Sequence, residues 1–173
     1  MNRIDLQQLA DLRIAEAHAL LALAVPMPDG AYYLAGYAVE CGLKACIARG
    51  YGPDPWPEKD FVSQCHTHKI LELIRLAKLE PARAAAVAAN AALGTNLTIV
   101  KDWSESSRYE RHSQAKAQRL YDAITDAAKD RRVNICRIVA FRSAKAAFFR
   151  GAKGDTYFCA GPNGVLPWIK VHW

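Results

Sequence analysis

Four groups of residues in this chain could do chemistry. The first is Arg108-Tyr109-Glu110-Arg111-His112. On a helix, an arginine and a histidine four positions apart share one face. There a neutral imidazole could take a hydroxyl proton while a guanidinium fork holds and neutralises a phosphate. Arg108 and His112 are therefore the candidate catalytic pair, against the plainer reading of a solvated histidine beside a helix start. The second group is Cys65-His66-Thr67-His68, which invites a metal. A structural zinc site needs four ligands, and no second ligand pair lies nearby at fixed spacing. No metal and no cofactor is expected, and His68 reads as a helix-start residue touching a neighbouring helix.

The third group is an acid one helical turn before a base, Glu40 and Lys44, inside the small-residue run Tyr32–Ile47. On a solvated helix such a pair contributes only about 0.2–0.5 kcal/mol; half-buried, it matters more. The fourth is a basic stretch. Residues 129–154 hold eight of the 23 bases and one of the 17 acids, leaving fifteen bases against sixteen acids elsewhere. That stretch therefore carries all of the excess positive charge, and the rest of the chain is slightly acidic. Arg131, Arg132, Arg137, Arg142, Lys145 and Arg150, with Phe141, Phe148, Phe149 and Tyr157 interleaved, have the composition of a nucleic-acid surface. The competing reading is a solvated insertion, or one folded back on the rest.

The elements that must position these groups are helical. Tyr33, Tyr37, Glu40, Lys44 and Ile47 recur along one stripe, with Ala35, Gly36, Ala38, Cys41, Gly42 and Ala45 on the other sides. Each glycine costs a helix roughly 1 kcal/mol relative to alanine, so close approach by another backbone is expected. Upstream, Asp5 to Ala24 reads as a first helix, stopped by Pro26 and Pro28, with Asp29 placed to cap the next. The short connection implies an antiparallel hairpin. The central helix should end near Arg49-Gly50, the glycine taking a left-handed conformation.

Tyr51 to Lys59, with three prolines, reads as a loop. A third helix follows, with Thr67 as N-cap and Ile70, Leu71, Leu73, Ile74, Leu76 and Leu79 as its apolar set. Glu80-Pro81 opens an alanine-rich helix to about Leu93, and 94–100 reads as irregular or briefly extended. The last core helix runs from Ser113 to about Ala128, with Ala117, Leu120, Tyr121 and Ile124 facing inward. Beyond it, 144–150 prefers helix, and Gly161-Pro-Asn-Gly164 makes a turn.

A chain of 173 residues, 51% apolar and 23% charged, fits one globular domain with an ordinary core. Abundant alanine favours an all-α fold. Five cysteines without a CxxC spacing suit free thiols in a reducing, cytoplasmic setting. No apolar run suggests a signal peptide or a membrane span.

The run Gly30-Ala-Tyr-Tyr-Leu-Ala-Gly-Tyr-Ala-Val-Glu-Cys-Gly-Leu-Lys-Ala45, preceded by a helix bearing Arg13, Glu16 and Ala17, resembles the HEPN domain (higher eukaryotes and prokaryotes nucleotide-binding). Thr67-His68, Lys101-Asp-Trp-Ser-Glu-Ser-Ser-Arg-Tyr109, Leu120-Tyr-Asp-Ala-Ile-Thr-Asp126 and Gly164-Val-Leu-Pro-Trp-Ile-Lys170 follow in the family's order. The resemblance is to small stand-alone prokaryotic members and covers about residues 3–128 plus the tail. It implies an up-and-down bundle of four to five helices that dimerises. It also implies an association with RNA or nucleotides, often as partner of a minimal nucleotidyltransferase in toxin–antitoxin-like modules. On this basis 1–128 with 164–173 form the bundle, and 129–163 is a basic C-terminal insertion. Several branches are metal-independent ribonucleases whose motif is an arginine, four to six residues, and a histidine. Arg108 and His112 stand where that motif is expected but one residue short; Arg13 and His18 have its spacing but lie on the first helix. The resemblance makes Glu40 a buried carboxylate in need of a cation, and Arg13 or Arg108 is its expected partner, beside Lys44.

Overall fold

The computed structural model describes residues 2–50 and 58–125, with the backbone of four two-residue strands beyond them. The chain divides into two units, Met1–Val139 and Ala140–Trp173. In the first unit the described residues form an all-α bundle: α1 (Arg3–Leu21), α2 (Pro28–Gly50), α3 (Lys59–Cys65), α4 (Ile70–Leu76), α5 (Glu80–Ala89), α6 (Ala91–Val100), a 3-10 turn (Glu105–Tyr109) and α7 (Gln114–Thr125). The fold class is the expected one, but the described helices number seven rather than four to five. None is long and apolar enough to cross a membrane.

The differences in helix count and length have local causes. Asn2 and Asp5 form a reciprocal cap: the Asn2 side chain accepts from the Ile4 and Asp5 amides, and Asp5 accepts from the Asn2 amide. This starts α1 two residues before Asp5, and it ends at Leu21 instead of Ala24. Helix α3 begins at Lys59, where a loop was expected to continue. Helix α4 stops after Leu76 because Lys78 turns left-handed, with φ 55°. The Leu79 amide then reaches the Ile74 carbonyl and the Lys78 amide reaches that of Arg75, a Schellman turn built on a lysine instead of glycine. Asn90, extended at φ −147° and ψ 100°, separates α5 from α6, and its side chain accepts from the Ala92 amide. The stretch 94–100, expected to be irregular, is therefore helical. Thr98 donates its hydroxyl to the Gly94 carbonyl, so its competing hydrogen bond stays within the helix.

Helix α2 is the axis of the bundle. Its buried positions, from Ala31 through Val39, Glu40 and Leu43 to Ile47, cover most of its circumference at about 100° per residue and leave partly open the stripe of Tyr33, Tyr37 and Lys44. The turn Ala22–Met27 folds α1 back on it, the Met27 amide meeting the Leu20 carbonyl. Helices α1, α4 and α7 and the 3-10 turn all pack on α2. Leu43, Ile70, Leu73, Leu79, Leu120 and Ile124 form the most deeply buried part of the core. Gly50 remains helical at the C-terminus of α2, not left-handed as expected.

In the second unit, β1 (Phe149–Arg150) pairs antiparallel with β2 (Tyr157–Phe158), and β3 (Ala160–Gly161) with β4 (Gly164–Val165). The Gly161↔Gly164 pairing agrees with the expected turn. Phe149 and Arg150 are extended, where helix was expected, because they pair across to Phe158 and Tyr157. The expected grouping of 164–173 with the bundle, and most of the basic stretch 129–163, lie outside the described residues.

One glycine of α2 has a clear purpose. A Cβ on Gly36 would lie 2.3–2.4 Å from three ring atoms of Trp103. The close approach that the glycine permits is thus by an indole ring, not by another backbone. Trp103 is itself buried, just before the 3-10 turn. Gly36→Ala is expected to lower unfolding free energy in urea by about 1–3 kcal/mol, the usual cost of overpacking, with part of the loss recovered when Trp103 is also replaced by leucine.

Candidate functional site

Glu40 lies on the central helix and is only 2% exposed. A carboxylate so placed must be neutralised and hydrogen-bonded. Lys44, one turn on, donates to Oε1 at 2.8 Å. His68, between α3 and α4, brings Nδ1 to 3.0 Å from both carboxylate oxygens. The Glu40–Lys44 pair expected from spacing is present, and His68 touches a neighbouring helix as expected. The arginines expected at Glu40 are not its partners. Arg13 pairs with Glu16 on α1, and Arg108 lies over the ring of Tyr109, 4.9 Å from its centroid. Helix position explains this. Lys44 reaches Glu40 within α2, and the turn before α4 delivers His68, leaving both oxygens occupied.

The imidazole and ammonium face outward. The His68 side chain is 44% exposed and that of Lys44 23%. A bare Nδ1 lone pair would repel a carboxylate at this distance, so Nδ1 carries the proton, and Nε2 is the nitrogen left for solvent. Thr67 holds this turn: it accepts from the Lys69 amide at 3.2 Å and donates to Glu72 at 2.7 Å, a bond that lowers the Glu72 carboxyl below its usual range. The neighbouring thiols are quiet. Burial pushes Cys41 up despite its bond to the Tyr37 hydroxyl, and pushes Cys65 up despite the nearby charge of Lys44. Cys41 and Cys65 are free thiols. Among the described residues no three His, Cys, Asp or Glu side chains converge as metal ligands.

Arg108 and His112 do not share a helical face. Arg108 is an exposed residue of the 3-10 turn that ends at Tyr109, and Glu110 is extended at φ −106° and ψ 159°, so the chain straightens before His112. The His112 ring is 1% exposed and stacks on Tyr32 with centroids 4.0 Å apart. Neither ring nitrogen has a hydrogen-bond partner among the described residues, and the Glu110 carboxylate stands 4.0 Å from Nε2. Lys116 lies over the same tyrosine at 4.9 Å. Burial raises the Tyr32 phenol, assisted by the charges of Glu110 and Asp102.

Asp29 organises this corner. It sits in the first turn of α2, and its Oδ1 accepts the His112 amide at 2.6 Å while Oδ2 accepts from Arg111 at 3.1 Å. Asp29, expected as a cap, lies inside the first turn of α2, and its carboxylate instead ties α2 to the segment before α7. The His112 amide, and secondarily Arg111, hold the Asp29 carboxyl below its usual range. The six basic residues proposed to meet nucleic acid, Arg131, Arg132, Arg137, Arg142, Lys145 and Arg150, lie outside the described residues, save the backbone of Arg150. The chain matches no protein-family model, no curated protein and no solved structure.

Two outcomes follow from these contacts. Glu40→Gln keeps the shape but removes the charge that binds Lys44 and His68, and should cost about 1–3 kcal/mol in urea unfolding. For Asp29 the folded pKa lies below the unfolded one. Its contribution is complete above the ordinary value of 3.8 and fades as pH falls through the lower folded value. Stability curves of wild type and Asp29→Asn should therefore run parallel near neutrality and converge in acid.

Proposed function

We propose that this chain is a HEPN-like module acting around RNA or nucleotides, as the non-catalytic or weakly catalytic partner of a minimal nucleotidyltransferase in a toxin–antitoxin-like pair. Two things support the family reading. The residues that carry the resemblance, Tyr32 to Ala45, form the buried axis of an all-α bundle, and Trp103 and Thr67-His68 pack or bond against it. The non-catalytic part rests on one observation, the burial of His112 against Tyr32. A general base must come within hydrogen-bond reach of the proton it removes, and this ring is covered while Arg108 faces solvent on a separate turn. A homodimer of such bundles, in a cytoplasmic setting, completes the reading.

Purified protein incubated with single-stranded and structured RNA in EDTA should show no cleavage that depends on His112. Cleavage abolished by both His112→Ala and Arg108→Ala would instead establish a metal-independent endoribonuclease. In the same preparations, a minimal nucleotidyltransferase encoded beside this chain should bind it. A strictly monomeric protein with no affinity for such a partner would refute the pairing.

A further inference from the structure

The Glu40, Lys44 and His68 cluster is more than a way of neutralising a buried acid. Lys44 Nζ and His68 Nδ1 both contact Glu40 Oε1, at 2.8 and 3.0 Å. The two nitrogens can be no farther apart than those lengths laid end to end. Both side chains reach solvent, whereas the carboxylate does not. A visiting anion would therefore meet one fixed cation and one imidazole edge, with the acid behind them.

The charge balance then depends on His68. With a neutral ring, Lys44 and Glu40 cancel and Nε2 presents a lone pair, which repels an anion. With a protonated ring, the cluster carries one net positive charge and Nε2 becomes a donor. We infer that Glu40, Lys44 and His68 form an oxyanion site for a phosphate group, one that binds only as His68 takes up a proton. Glu40 is the positioning residue: it fixes which ring nitrogen faces outward and holds the lysine beside it. The other ionisable groups around the cluster are Arg13 on α1, whose charge is felt at Cys41, Tyr37 and Cys41 on α2, Tyr37 feeling the Glu40 charge, Cys65 at the end of α3, Lys69 at the start of α4 and Glu72 on α4. Glu72 is engaged by Thr67 and Lys69. The inference stands whether or not the bundle acts on RNA.

The full chain, titrated with inorganic phosphate, with sulfate and with a short single-stranded RNA, tests it by NMR of the His68 ring and the Lys44 ammonium. Sulfate serves because its charge is constant across the range, about pH 5 to 8, in which histidines change theirs. Phosphate and sulfate should shift both signals, and the sulfate affinity should tighten by up to tenfold for each pH unit of fall while His68 takes up its proton. Lys44→Met should weaken sulfate binding about tenfold or more; Lys44→Arg, which preserves the charge if methionine unsettles the fold, should retain it. His68→Gln should abolish the pH dependence. A response to RNA as well would identify a polymeric phosphodiester as a source of the ligand; a response to the small anions alone would identify a free phosphate. Absence of any shift, affinity that ignores pH, or undiminished binding in the Lys44→Met and His68→Gln variants would overturn the proposal.

Discussion

The structure depends on a single demand: a carboxylate on the most deeply buried helix must be neutralised. Water cannot do this for Glu40, because its side chain is only 2% exposed. An unpaired charge there would be costly enough to be protonated or expelled. Lys44 alone leaves lone pairs unfilled, so the turn before α4 is drawn in to supply His68. The polar contact thereby selects where α4 begins against α2, and Thr67 stiffens the same turn from the other side. Because Lys44 and His68 both extend to the surface, the arrangement that satisfies the core also creates a polar site that solvent can enter.

The opposite end of α2 is closed by different means. Gly36 lacks the atom that would collide with Trp103, so the indole lies against the helix. One turn earlier, Tyr32 stacks with His112, and Asp29 grips the chain at Arg111 and the His112 amide. These contacts turn Trp103 to His112 into a strap held against α2. The His112 ring is thereby packed against Tyr32 and covered, while Arg108 stays exposed on the turn before it.

Legibility varied with the range of the interaction. Helix hairpin, central helix and last core helix were readable from periodicity, because hydrophobic spacing reports burial directly. The Glu40–Lys44 pair was readable because its geometry is local. The helical course of 94–100 is not legible in the sequence, since Gly94, Thr95, Asn96 and Thr98 are weak helix formers whose deficit is offset by the Asn90 cap and by Thr98 bonding within its own helix. The role of His68 was only half legible. A buried acid needing a donor was foreseeable, but nothing in the sequence chose among Arg13, Arg108 and His68.

The sequence by itself determined an all-α bundle with Tyr32–Ile47 at its centre, because helical period, small residues and the two prolines before it act over a few positions. Tertiary structure decided which donor reaches Glu40, what Gly36 makes room for, and whether His112 faces solvent. Each of those contacts joins residues far apart in the chain, from 28 positions between Glu40 and His68 to 83 between Asp29 and His112. Spacing along a helix carries no information about such distances; they are set when α2 is enclosed and every buried polar group must find the partner that packing leaves within reach.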